Sequence, residues 1–269
     1  MTTDIRSHFA IHALPFTREI GVGERFEADQ YRQAVNALRH CIEQRMSAAL
    51  IAPAGTGKTA TVRALCAELP DARYNVHYVK VTNLSKRDMC REIAAVMGVR
   101  PAGSYPFLVR RIQERLETDT SEDGLRPVLV IDEAHDMRPE VLGILRVLTN
   151  FDMDSRLVVS IVLVGQPSLR NLLRRESLED VARRLSHIAA LRPLSRDETG
   201  RYIEHRLNVA GAMISPFDGA AVDAIYEIGR GNLRATDRLA LKSMELAWLG
   251  GEATVSTNHA VEARKLLWP

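Results

Sequence analysis

Apolar residues change their spacing repeatedly along this chain, and each change marks an element boundary. From residue 28 the stripe Tyr31, Val35, Leu38, Cys41 and Ile42 predicts a helix, and the short apolar run 47–51 predicts a strand after it. Residues 60–69 are again helical in pattern, Pro70-Asp71 turns the chain, and 76–81 reads as a second strand. Thr82 to Ser85 end that strand, with Ser85 placed to cap a helix reaching about Met97 before Gly98 and Pro101 stop it. A further helix over 105–118 is expected to turn Phe107, Leu108, Ile112 and Leu116 inward, and 119–127 reads as a polar surface loop.

Two longer apolar runs, 128–131 and 157–164, predict strands buried on both faces, with a helix over 139–149 between them. Strands alternating with helices imply an α/β fold with a parallel sheet covered on both faces. From Ser195 the strand pattern stops. Apolar stripes on Tyr202, Ile203 and Leu207, on Ala221, Ile225 and Ile228, on 233–246 and on 261–267 predict a small helical subdomain. Near the start, Leu14-Pro15-Phe16 interrupts any long helix. The expected organisation is an N-terminal segment, 1–27, packing on the core, an α/β domain over 28–194, and a helical subdomain over 195–269.

Composition changes this picture little. A chain of 269 residues with 46% hydrophobic and 26% charged residues is an ordinary globular sequence, and a net charge of +2 leaves any nucleic-acid partner to be argued from local clusters. Cys41, Cys66 and Cys90 stand apart, without the spacing of a zinc site or a disulfide framework. No apolar run is long enough to cross a bilayer and the start does not read as a signal peptide, so the expected location is the cytoplasm.

The chemistry begins at Ala52-Pro53-Ala54-Gly55-Thr56-Gly57-Lys58-Thr59, between the first strand and a helix. Small residues there let successive N–H groups point at an anion, and the helix dipole adds attraction, so a triphosphate is the expected occupant. Lys58 can reach the β- and γ-phosphates, and the Thr59 hydroxyl can ligate a bridging Mg²⁺. The position usually held by the first glycine is Ala52, tolerable where φ stays negative. At the end of the strand 128–131, Asp132 can hold Mg²⁺ through its waters and Glu133 can act as general base toward the attacking water. Gln166, after the strand 157–164, could orient that water or touch the γ-phosphate, and Asn150 offers a similar amide. His135 and Asp136 read as helix-start residues.

This order of motifs resembles the AAA+ ATPases. Leu14-Pro15-Phe16, Val164-Gly165-Gln166-Pro167, Arg183-Arg184-Leu185 with Leu194-Ser195, and Tyr202 to Leu207 are similar to the ExeA-like branch, which includes secretion-pathway ATPases and, with similar ATPase domains, helpers of Mu-type transposition. The resemblance implies a parallel-sheet P-loop NTPase core with a helical lid, ATP and Mg²⁺ as cofactors, and self-association into a ring or helical filament. It also implies that Arg184, with Arg183 as the contender, reaches a neighbour's γ-phosphate, that Gln166 is the first sensor, and that Arg234 is the lid arginine of the second sensor.

Two basic clusters bear on the target. Lys86 and Arg87 open the helix after the second strand, a position that faces the channel in ring-forming relatives, and Arg110 and Arg111 lie on the next helix. Such cations would track duplex DNA without reading sequence. The leading expectation is an ATP-dependent, oligomerising DNA-binding regulator that marks target DNA and recruits or stimulates a transposase. The alternatives are a secretion-assembly ATPase acting on a membrane partner and a nucleotide switch that recruits a protein.

Overall fold

Five parallel strands, β1 (Ser47–Ile51), β2 (Tyr74–Lys80), β3 (Arg126–Asp132), β4 (Ser160–Gly165) and β5 (Leu185–Ala190), lie in the order β2-β3-β4-β1-β5 in the computed structural model, which describes residues 4–81 and 83–268. The helices in chain order are α1 (Ile5–His8), α2 (Asp29–Glu43), α3 (Lys58–Ala67), α4 (Lys86–Val96), α5 (Tyr105–Ser121), α6 (Pro139–Leu142), α7 (Ile144–Leu148), α8 (Ser168–Leu173), α9 (Glu179–Ala182), α10 (Arg196–Val209), α11 (Gly219–Gly229), α12 (Leu233–Leu249) and α13 (Thr257–Leu267).

The chain divides into two units. Among the described residues, 29–54 and 58–191 make the α/β unit, while 4–28, Gly55–Gly57 and 192–268 make a helical unit. In the α/β unit, β1 and β4 are buried at every position and β3 at all but its first, as continuous apolar runs in a covered parallel sheet should be. Because all neighbours are parallel, the C-terminal ends of the strands share one edge. There β4 lies between β3 and β1, pairing Ile131 with Leu163 and Ile51 with Gly165. Cys41 and Cys90 are buried and Cys66 is half-buried. Ser85 caps α4 by accepting the Asp88 N–H at 3.2 Å, a contact worth about 1 kcal/mol. Thr82, read with the turn before it, lies outside the described residues.

Several expectations need correction. The strand expected over 157–164 begins only at Ser160, and β5 carries no periodic apolar signal because most of its side chains are exposed on an edge strand. The helix expected over 139–149 is two segments, divided at Gly143, the weakest helix former in its interior. Phe107 is 47% exposed rather than inward, because Leu108, Ile112 and Leu116 fill the buried face of α5. Asp119 belongs to α5, not to a surface loop, and is fully buried. There it accepts from Asn75 Nδ2 at 2.9 Å and pairs with Arg115 at 2.7 Å, which compensates the buried charge.

The N-terminal segment belongs to the helical unit. Its apolar residues Ile5, Phe9, Ile11 and Phe16 are buried with Ile203, Leu207, Ile225 and Leu239 in the core of the helical unit, not in the α/β core. Two sequence motifs meet there. Buried Arg206 donates to Thr17 O at 2.7 Å and lies over the rings of Phe16 and Tyr202, and His205 Nε2 contacts Glu24 O at 2.7 Å. Tyr202 and Arg206 both donate to Asp237, at 2.7 and 3.3 Å.

Candidate nucleotide site

The loop after β1 has the backbone that an anion cradle needs. Gly55 and Gly57 have φ of 76° and 98°, with Thr56 buried between them, and α3 starts at Lys58 so that its N-terminus follows directly. At Gly55 a Cβ would also fall 2.4 Å from Asn232 Oδ1, and Gly55 O accepts the Arg234 N–H at 3.3 Å. Ala52 is not among the residues of positive φ, and its N–H donates to Gly165 O at 3.0 Å, so a methyl group is accommodated at the strand end. Lys58 is buried, its ammonium donating to Ala52 O at 3.1 Å and Pro53 O at 3.2 Å. Pro53 is half-buried, and Ala54 and Thr59 are exposed. An ammonium held within the loop by backbone carbonyls can turn to phosphate oxygens at small cost, so these residues fit a triphosphate.

Asp132 ends β3, almost wholly buried. Its Oδ1 accepts the Glu133 N–H at 2.8 Å and its Oδ2 accepts the Tyr78 hydroxyl at 2.7 Å. Tyr78 stands opposite Val130, so its ring reaches along the same face of the sheet to Asp132, two residues on. Burial and the Asp132 carboxylate push the Tyr78 hydroxyl well above its ordinary value, which keeps it a donor. No group of three or more His, Cys, Asp or Glu could cage a metal ion among the described residues. The Thr59 hydroxyl and the Asp132 carboxylate are each hard oxygen donors of the kind that suits Mg²⁺, an ion that keeps several waters and shares substrate phosphates.

Beyond Asp132, Glu133 adopts a left-handed backbone with φ of 55°, which turns its side chain into an open cleft of about 830 Å³. Lys80, Asn83, His135 and Gln166 line the same cleft. Gln166 Nε2 contacts His135 Nε2 at 2.7 Å, and His135 Nδ1 lies 3.4 Å from Glu133 Oε2. Sequence reasoning missed both Tyr78 and His135. The strand order that sets β2 beside β3 has no signature in the sequence, whereas His135 carries a positional signal, two residues after Glu133.

Asn150 lies elsewhere. It lines a cleft of about 750 Å³ with Gln113, Asp154, Arg183 and Arg184. Arg184 is mostly buried and grips Asp154 through both terminal nitrogens at 2.6 Å, whereas Arg183 is 75% exposed and pairs with Glu179. The two candidate amides therefore occupy different clefts, Gln166 with Glu133 and Asn150 with the arginine pair.

The basic residues gather on α4, α5 and the turn between them. Arg87 Nε donates to Gly103 O at 3.1 Å, Arg91 Nε donates to Pro101 O at 3.2 Å, and Arg111 lies 5.7 Å over the exposed Phe107 ring. Lys86 and Arg110 are exposed beside them. Gly103 makes this packing possible: with φ of 117°, its missing Cβ would fall 2.5 Å from Phe107 Cδ1. The outcome is an aromatic residue framed by arginines whose orientation is fixed at Nε or on a ring face.

The five-stranded parallel sheet and its glycine-bearing loop define a P-loop nucleoside triphosphatase fold. A family model described as an AAA domain matches residues 39–173, half of the chain, and the protein belongs to that family. General secretion pathway protein A of Aeromonas hydrophila is 30% identical over 200 residues, 73% of this chain but only 36% of that relative, so the chain matches about a third of the relative's length. Among solved structures, Cdc6p from Pyrobaculum aerophilum superposes with a TM-score of 0.69 at 19% identity, covering 98% of this chain and 71% of that one. The Aeropyrum pernix ORC1 protein, solved in complex with DNA, gives 0.67 at 19% identity, covering 91% of this chain and 67% of that one. Both likenesses are of fold. No helix among the described residues is long and apolar enough to cross a membrane.

Proposed function

We propose that this protein hydrolyses ATP at a Mg²⁺-dependent site completed by a second copy of the chain, and that the assembled form engages duplex DNA. The observation that carries hydrolysis is that the loop holding Lys58, the pair Asp132-Glu133 and Gln166 follow β1, β3 and β4, which are neighbours in one parallel sheet. Pro53 to Thr59 bind the phosphates, and Thr59 and Asp132 would hold Mg²⁺, which would supply positive charge against the phosphates. Glu133 accepts the proton of the attacking water, and Gln166 orients that water against the γ-phosphate. Arg234 serves as the second sensor. Arg184, on a cleft away from Glu133, acts on the nucleotide of a neighbouring subunit.

DNA is the target favoured by the α4–α5 face. Lys86, Arg87, Arg110 and Arg111 supply charge for a phosphate backbone, and Arg91 and Phe107 join them. Contacts from such cations to the phosphate backbone carry no sequence information, so the binding is largely neutral to sequence. The finer reading, carried by the motif resemblance, is a regulator of transposition that marks target DNA and recruits or stimulates a transposase. A second reading, an assembly ATPase of a secretion pathway, is favoured by the 30% identity to the Aeromonas protein. Electron microscopy of the protein with duplex DNA and a slowly hydrolysed ATP analogue separates the two. ATP-dependent rings or filaments on DNA support the first; no assembly on DNA, with hydrolysis unaltered by DNA, supports the second.

A further inference from the structure

His135 belongs to no step of the reading above, yet it is 9% exposed and stands between the two side chains that reading depends on. Its Nε2 is 2.7 Å from Gln166 Nε2, and its Nδ1 is 3.4 Å from Glu133 Oε2. With the Gln166 amide donating, Nε2 is the acceptor, so Nδ1 carries the proton and presents it to the Glu133 carboxylate. Both Glu133 Oε2 and His135 Nδ1 are buried atoms lacking a well-formed hydrogen bond, so each is the other's nearest complement across 3.4 Å.

The backbone holds the imidazole in this place. Glu133 is left-handed, which folds the chain sharply into the turn Ala134–Asp136, and Ala134 is buried beneath it. Across the sheet edge Gly165 leaves room for that turn, because a Cβ there would stand 3.3 Å from His135 N and 2.9 Å from Leu169 Cδ2. The turn after β3 and the end of β4 are thereby fitted to one another around His135. Asp136 Oδ1 lies 3.5 Å from Nε2 on the solvent side.

We propose that His135 is a positioning residue that couples Gln166 to Glu133, so that the amide nearest the γ-phosphate and the carboxylate that activates water adopt their working orientations together. The chain Gln166–His135–Glu133 is short, rigid and polar. A displacement of the Gln166 amide on phosphate release would pass through the imidazole to the carboxylate without any change in the loop that binds nucleotide. The inference rests on Glu133 and Gln166 having the roles assigned above.

The test is a double-variant cycle under single-turnover conditions, with fluorescent-nucleotide affinity measured beside hydrolysis. His135→Ala is expected to slow hydrolysis about 10- to 100-fold with nucleotide affinity within about threefold, as loss of an orienting group does. Gln166→Ala should slow it comparably, and the double variant should be no slower than the worse single one. His135→Gln, which keeps a donor and an acceptor, should recover part of the loss and covers the case in which the alanine variant fails to fold. Retention of hydrolysis within twofold in His135→Ala, or multiplicative effects in the double variant, would overturn the coupling.

Failure of the underlying reading has a different signature, which is hydrolysis by Glu133→Gln at the native rate. A readout independent of turnover is the imidazole ¹⁵N spectrum. The native protein should show the His135 proton on Nδ1, and Gln166→Ala should change that pattern. An identical pattern in both proteins would overturn the contact with Gln166 whatever the hydrolysis data.

Discussion

Arg184 holds both oxygens of Asp154, Nη1 on Oδ1 and Nη2 on Oδ2, each at 2.6 Å. The hydrogen bonds from Arg184 pull the Asp154 carboxyl below its usual range, so the pair is ionised at neutral pH. Asp154 ends a run of three left-handed residues, Asp152, Met153 and Asp154, with φ of 48°, 54° and 70°. The arginine proposed to act on a neighbour's nucleotide is thus clamped within its own subunit. Arg184→Ala should lower assembly-dependent turnover on the order of 10³-fold with nucleotide affinity unchanged, whereas Arg183→Ala should change it little. Asp154→Asn, which weakens the clamp, should raise turnover at protein concentrations where assembly is partial. Mixing Arg184→Ala with Glu133→Gln should restore part of the turnover, since each supplies what the other lacks; an inert mixture would place Arg184 outside the shared site.

The α4–α5 face predicts the salt dependence of DNA binding. Each phosphate contact removed should reduce the slope of log affinity against log salt by about 0.9, so the double variant Lys86→Ala and Arg87→Ala should flatten it by about 1.8. Phe107→Ala should weaken binding with the slope unchanged, because the ring carries no charge. Fluorescence anisotropy on a short duplex at several salt concentrations measures both effects.

His77 and Asp237 pull stability in opposite directions on acidification. Burial lowers the affinity of His77 for protons despite the Val96 carbonyl and the Asp119 carboxylate nearby, with Arg115 adding to the decrease. The unfolded chain therefore binds more protons, and stability falls as pH drops below about 6.5. Burial pushes Asp237 up to about 6 against the pull of Arg206 and the Tyr202 hydroxyl, so the folded state takes up a proton first and gains stability as pH falls through 6 toward 3.8. Between pH 7.5 and 5.5, on the order of two pH units, His77→Gln should lose less thermal stability than the native chain and Asp237→Asn more. Calorimetric or circular-dichroism melts over that range check the sign of each.

The parts of this molecule legible in the sequence are those governed by local rules. The loop from Ala52 to Thr59 and the buried strands β3 and β4 follow from composition and periodicity, and the Ser85 cap follows from residue type. The parts that stayed hidden depend on neighbours distant in sequence. β5 exists because β1 offers an unpaired edge, with Ile51 facing Ala190, and not because Leu185–Ala190 is apolar in pattern. Tyr78 meets Asp132 only because β2 pairs with β3, and Asp119 is buried only because Asn75 and Arg115 are there to receive its charge. The N-terminal segment shows the same limit, since the partners of Phe16 lie nearly 200 residues onward, with Arg206 gripping Thr17 across |i−j| = 189.

Nucleotide hydrolysis by an assembly formed on DNA is tested by steady-state ATP turnover titrated with duplex DNA at several fixed protein concentrations. Turnover should rise saturably with DNA and depend on protein concentration with an order above one, and Glu133→Gln should abolish it. Turnover strictly proportional to protein and indifferent to DNA would contradict the account.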